Sequence, residues 1–288
     1  MSADPPDRPV VWYRPHARHG VGWLSGIRQM IMNIAASRNL IWQLFKRDFF
    51  AVYKKSFLGV GWVVLMPVLG ILSWVFLQKA GVLRPGDVGI PYPVFVLVGT
   101  SMWGLFVGLY DQASQTLEAG KEIIMQIHYP HEALLIKQTA QQISQFVVAL
   151  ALNVAVILLH GMTPHPLGVL LPLVALPLFF LAAGIGLFVA MISVVAVDIS
   201  RFITLGISLL MYVTPVIHDG KAEQPVLRAV IRWNPLTHLV CSCRDMLLFG
   251  RLSDPTAYFW SALFALGVFL LSWRLFFLSE DQLVERMI

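Results

Sequence analysis

The sequence predicts an all-α membrane protein with six transmembrane helices, an N-terminal amphipathic interface helix and a re-entrant helix pair between spans five and six. Three observations predict it. The mean hydropathy is +0.72, and 57% of residues are hydrophobic against 13% charged, where a soluble domain carries roughly 25% charge. Six apolar stretches come near the ~20 residues a helix needs to cross hydrocarbon. A basic amphipathic segment precedes the first of them.

The elements follow in order. Residues 1–37 read as a cytoplasmic tail: Met1 to Pro15 is rich in Pro, Asp and Arg and lacks the apolar core of a secretory signal. Residues 38–56, RNLIWQLFKRDFFAVYKKS, form the interface helix. Ile41, Phe45, Phe49 and Val52 fall on one face at spacings of four, four and three, with Arg47 and Lys54 elsewhere on the circumference. That pattern suits a helix lying in the membrane interface, either docking a soluble partner or acting only as an anchor.

Residues 57–278 form the six-span domain. Span one runs from Phe57 to Gln78 and span two from Tyr92 to Tyr110. Span three, Leu134 to Leu159, has a polar first half with Lys137, Gln138, Gln141 and Gln142. Span four, Leu167 to Val197, contains Pro172 and Pro177 and is long enough to tilt or kink. Span five runs from Phe202 to Ile217, span six from Tyr258 to Leu278, and residues 279–288 form a second cytoplasmic tail.

The connection His218 to Ala257 is long and holds an apolar stretch, Val226 to Phe249, interrupted at Asn234-Pro235. Proline disfavours a helical residue before it and removes a donor. Two short helices dipping into the outer leaflet fit better than a solvated loop; an external cap on the surface is the other reading. Lys and Arg divide about two to one in favour of the side that holds the N-terminus, most steeply next to span one (Arg38, Lys46, Arg47, Lys54, Lys55). The N-terminus is therefore expected in the cytoplasm, and an even number of spans returns the C-terminus there.

Composition excludes several classes. The net charge of +5 reflects cytoplasmic Lys/Arg bias and anionic lipid, because no basic tract with interleaved aromatics suits nucleic acid. Cys241 and Cys243 are too close for an easy disulfide and too few for zinc. The eight histidines lack ligand spacing, so no metal site is expected. No cofactor site is expected either: Gly120-Lys121 is followed by Glu122, and Gln115 stands where a phosphate loop needs Gly. Nucleotide, if used, must bind another subunit. Ionisable residues are nearly absent from the span interiors, which argues against proton coupling and against an intramembrane transferase.

Three groups could carry function. Glu118 to Glu132, EAGKEIIMQIHYPHE, mixes charge with apolar side chains and breaks at Pro130. It makes a compact knob a partner groove could hold, with Glu118, Lys121, Glu122, Met125, His128, Tyr129 and Pro130 as coupling candidates. The turn from Val197 to Arg201, expected between spans four and five, adds Asp198 and Arg201. Tyr53, Trp62, Trp74, Trp103, Phe106, Tyr110 and Tyr212 form an aromatic set, with Trp260 near it. These rings either make an interfacial belt or line a path whose flat faces slide past sugar C–H faces.

Four segments, taken together, resemble the membrane subunit of type-2 ABC exporters of polysaccharides, which move O-antigen, capsule or teichoic-acid chains. They are RDFFAVYKKSFLGVGWVVLMPVL from Arg47, MQIHYPHEALL from Met125, VDISRFITLGISLLMYVTPVIH from Val197 and WNPLTHLVCSCRDMLLFG from Trp233. The resemblance spans roughly Asn39 to the C-terminus. It implies a homodimer in the bacterial inner membrane, bound to two copies of a separate subunit that binds ATP and Mg. The interface helix, the Glu118–Glu132 segment and the Asp198–Arg201 turn would face that ATPase. Trp233, Asn234, Pro235, His238 and Arg244 would gate the outer end. No residue would be catalytic, and the substrate would be a long glycan on a lipid anchor; the same architecture moving a small lipid, drug or haem is the alternative. The family often carries Lys before its aromatic-Pro step, where this chain has Met125 and Gln126.

Overall fold

The computed structural model describes residues 22–54, 59, 61–117 and 131–287, and every regular element among them is helical. Helix α1, Trp23–Ala36, lies within the stretch expected to be a tail. It is joined through Ser37 to α2, Arg38–Lys54, the expected interface helix. Then come α3, Gly61–Lys79, with Pro67 inside it, α4, Tyr92–Ser114, and α5, His131–Leu159.

Span four is kinked, running as abutting helical pieces that meet at Leu170 and Ala175, both still in the right-handed helical region. A 3-10 turn at Pro166–Leu170 leads into a short α6, Leu171–Val174, and then α7, Leu176–Val195. Pro172 and Pro177 each sit in the first turn of the piece they open, where the missing N–H costs no intrahelical bond. Only Ala196 separates α7 from α8, Val197–Val213. The stretch Val197 to Arg201 is therefore the first turn of α8, not a connecting turn, and Ser200 Oγ bonds back to the Val197 carbonyl as a helical serine does. α8 also ends at Val213, short of the expected Ile217.

The connection beyond it holds α9, Pro225–Trp233, and α10, Pro235–Phe249. They part at Asn234, whose side chain caps α10 by accepting from the Leu236 N–H at 3.0 Å. Gly250 ends α10 in the left-handed region at φ 66, a conformation glycine takes without strain. Helix α11, Pro255–Met287, continues through residues expected to be a C-terminal tail.

Among the described residues, four stretches are long and apolar enough to cross a membrane: Tyr92–Ser114, Leu134–Leu159, Pro166–Val195 and Pro255–Ser279. α3 and α8, with 19 and 17 residues, are shorter.

α4 and α7 form the centre. Val94, Phe95, Val96, Leu97 and Val98 are consecutive and all buried, so the first part of α4 is covered on every side. α7 packs most extensively on α11 and next on α4. Two glycines allow this. A Cβ on Gly184 would stand 2.9 Å from the Phe269 backbone of α11, and one on Gly186 would stand 2.7 Å from the Tyr110 carbonyl oxygen of α4. Two residues apart, they face opposite sides of α7 and let two backbones approach it.

The bundle has two distinct ends. At one, α2 packs on the start of α5, where Leu40, Ile41 and Leu44 surround Leu134. At the other, the Asp219 N–H bonds the Pro85 carbonyl at 2.8 Å, Tyr92 donates to the Ile217 carbonyl at 3.2 Å, and α9 and α10 cover the helix ends.

Candidate functional site

At the α2 end the structure joins two residues that sequence reasoning did not pair. Lys137 of α5 donates from Nζ to Asp48 Oδ2 at 2.8 Å, and Arg47 donates from Nε to Asp48 Oδ1, also at 2.8 Å. Burial opposes ionisation of Asp48, but the hydrogen bonds from Arg47 and Lys137 outweigh it and hold the carboxyl below its ordinary value. The signal was present in the sequence: Asp48 is a lone acid on the side of the helix that carries Ile41, Phe45 and Phe49. Phe45 stacks on Trp42 and lies tilted against Phe49, with ring centroids 5.4 and 5.8 Å away, so the three rings form an aromatic strip.

Among the coupling candidates, Arg47 is exposed and tied to Asp48. Asp198 and Arg201 pair at 3.6 Å on the exposed first turn of α8, a contact that solvent weakens. Glu118, Lys121, Glu122, Met125, His128, Tyr129 and Pro130 lie outside the described residues, as do the side chains of Tyr53 and Lys54.

Between α3, α4 and α5 lies a cavity of about 470 Å³. Trp62, Trp74 and Phe146 supply aromatic faces to it, and Thr100, Ser101, Gln142 and Gln145 supply polar atoms. Gly70 and Gly104 leave it open, since a Cβ on either would meet nothing within 4 Å. It belongs to a polar seam between α4 and α5. Thr116 donates to Gln138 Oε1 at 2.7 Å, Gln142 Nε2 donates to the Gly104 carbonyl at 3.4 Å, and Ser101 donates to Asn153 Oδ1 at 3.0 Å. Such bonds hold helices together where water is absent. Aromatic faces beside amides and hydroxyls suit a ligand with both C–H faces and hydroxyls.

Among the described members of the aromatic set, only Trp62 and Trp74 reach this cavity. Trp103, Phe106 and Tyr110 are buried in the core because their faces of α4 are covered. The Tyr110 hydroxyl lies 2.7 Å from Thr204 Oγ1 and ties α4 to α8. Tyr212 is exposed on α8. Gln145 and Phe146 escaped the sequence reading because span periodicity does not say which face meets α3.

At the other end, the predicted gate residues divide in two. Asn234 and Arg244 are structural pins. Asn234 Nδ2 donates to Thr214 Oγ1 at 3.0 Å while its oxygen caps α10. Arg244 is buried, donates to the Pro215 carbonyl at 2.9 Å and stacks on Phe95 at 4.1 Å. Together they fix the turn after α8. Trp233 is 83% exposed, and His238 bonds the Arg232 carbonyl at 2.8 Å beside Pro235. Among the described residues, no three His, Cys, Asp or Glu side chains cluster as metal ligands do.

A family model described as ABC-2 type transporter matches residues 39–248. The chain is 26% identical over 227 residues to the O-antigen export system permease protein RfbA of Klebsiella pneumoniae, covering 78% of this chain and 86% of that protein. It is 25% identical over 229 residues to the protein of the same name from Myxococcus xanthus, with the same coverage.

Proposed function

The chain belongs to the ABC-2 type transporter family, and on that premise we propose that it is the permease subunit of an ATP-driven exporter moving lipid-linked polysaccharide across the bacterial inner membrane. The observation that carries this is the match across 86% of the length of relatives whose names state O-antigen export. Hydrolysis belongs to a separate ATP-binding subunit, present in two copies, with ATP and Mg bound there, and the permease works as a homodimer. The chain supplies no catalytic residue.

In this reading α3, α4, α5, the kinked segment ending in α7, α8 and α11 are the six spans, with α9 and α10 re-entering from the outside. The α2 end is cytoplasmic, as are both termini. Residues 38–56 and the Glu118–Glu132 knob engage the ATPase, with Asp198 and Arg201 beside them. A push on α2 reaches α5 through the Asp48–Lys137 bridge. The cavity walled by Trp62 and Trp74 then meets the glycan. Rings that contact C–H faces tolerate successive sugars, which a long polymer requires.

The deciding experiment removes the gene and follows lipid-linked glycan. Accumulation inside the cell, reversed by the chain together with its neighbouring ATPase, supports the proposal. Glycan that still reaches the surface while a small amphiphile accumulates transfers the family assignment to a lipid, drug or haem substrate. A second test replaces residues 125–129 with Gly and Ser; unchanged ATPase binding and export would remove the knob from the coupling surface.

A further inference from the structure

A second cavity, about 550 Å³, lies at the other end of the bundle, between the α9–α10 junction and the first turns of α11. Trp233 and Trp260 line it, and both are exposed rather than packed into the core. Three polar groups on its wall keep unspent bonding capacity. The Arg232 guanidinium makes no hydrogen bond among the described residues. Asp254 caps α11 with Oδ1, accepting from the Ala257 N–H at 3.0 Å, and leaves its second oxygen available. Ser261 is only 6% exposed, yet its hydroxyl has no partner among the described residues. Serines elsewhere in these helices, such as Ser73, Ser144 and Ser208, satisfy theirs on a carbonyl one turn back. His238 completes the polar wall.

The wall thus presents a cation, a carboxylate oxygen and a hydroxyl between two indole faces. A purely anionic headgroup would meet the Asp254 carboxylate, and an acyl chain would leave the polar groups unpaired. A sugar ring offers donors, acceptors and an apolar C–H face at once. We propose, building on the permease reading, that this groove is a glycan-contact site distinct from the cavity between α3, α4 and α5. It holds one or two sugar residues of the polymer at the α9–α10 end, with Trp233 and Trp260 stacking and Asp254, Arg232 and Ser261 bonding hydroxyls.

The test uses the full chain assembled with its ATPase in phosphatidylcholine nanodiscs. The probe is delipidated surface polysaccharide from the producing cells, labelled at its reducing end. Trp233→Ala with Trp260→Ala should weaken its binding about tenfold, and Trp233→Phe with Trp260→Phe should keep most of it. Asp254→Ser keeps a capping oxygen and should weaken binding severalfold. Unchanged thermal midpoint and ATPase association confirm that the variants are folded, as expected for exposed rings.

Equal binding by the wild type and the double-alanine variant overturns the groove, as does no binding by the wild type. So does native mass spectrometry that finds phospholipid held there and not displaced by the polysaccharide. Failure of the permease reading looks different: surface polysaccharide would be unchanged in cells lacking the gene.

Discussion

Lys137 Nζ and Asp48 Oδ2 lie 2.8 Å apart, and this contact fastens the amphipathic α2 to the start of a membrane-crossing helix. Side chains on both sides of the bridge are largely shielded, at 10% and 23% exposure. Lys137→Met should therefore cost more than an exposed pair and less than a fully buried one, roughly 1–3 kcal/mol. The check is the thermal midpoint of the purified chain. Swapping the charges, Asp48→Lys with Lys137→Asp, should recover part of the loss, and a double-mutant cycle gives the coupling.

The same pair sets a pH dependence. The folded-state pKa of Asp48 is lowered from 3.8, because hydrogen bonds from Arg47 and Lys137 outweigh the effect of burial. Its contribution is complete above the unfolded carboxylate value and is lost as pH falls through the lower folded value. The stability gap between wild type and Asp48→Asn should hold steady above about pH 5 and close below about pH 4. Thermal midpoints across that range measure it. A gap that closes on the alkaline side instead would assign the stabilisation to another group.

Gly184 and Gly186 should be intolerant of larger residues, because backbone atoms occupy the space a side chain needs. Gly184→Leu and Gly186→Leu should each destabilise by about 1–3 kcal/mol or more and reduce folded yield in size-exclusion chromatography. Gly206 on α8 has open space around it. Gly206→Ala should be neutral or stabilising by up to about 1 kcal/mol through helix propensity.

Filling the cavity between α3, α4 and α5 separates stability from transport. Gly104→Leu and Gly70→Leu enter open space, so the fold should persist while export falls. Trp62→Ala with Trp74→Ala should also slow export, by roughly tenfold if each ring stacks on a sugar. Surface glycan per cell, set against an unchanged protein level, reads both. Full export with a filled cavity would place the path elsewhere.

The Asn234 double contact can be split. Asn234→Asp keeps an oxygen for the Leu236 N–H but loses the donor to Thr214. Asn234→Ala loses both and should cost about 1–2 kcal/mol. Hydrogen exchange over residues 214–219 should quicken in both variants, while the first turn of α10 should loosen only in the alanine variant.

Much of this molecule follows from local patterning. The apolar stretches, the amphipathic face of α2 and the helix break at Asn234-Pro235 are short-range properties: hydropathy, a 3.6-residue period and the geometry of proline decide them. The motifs from Arg47, Met125, Val197 and Trp233 likewise led to the family. Tertiary structure decided what periodicity cannot encode, namely which neighbour each face meets. It made α4 an inside helix, so Trp103, Phe106 and Tyr110 became core while Trp62 and Trp74 faced a cavity. It buried Arg244 against the Pro215 carbonyl, and brought Asp48 to Lys137 across 89 positions of sequence. In a chain this apolar, almost every face could be buried, and only backbone approach at small residues such as Gly184 and Gly186 selects which ones are.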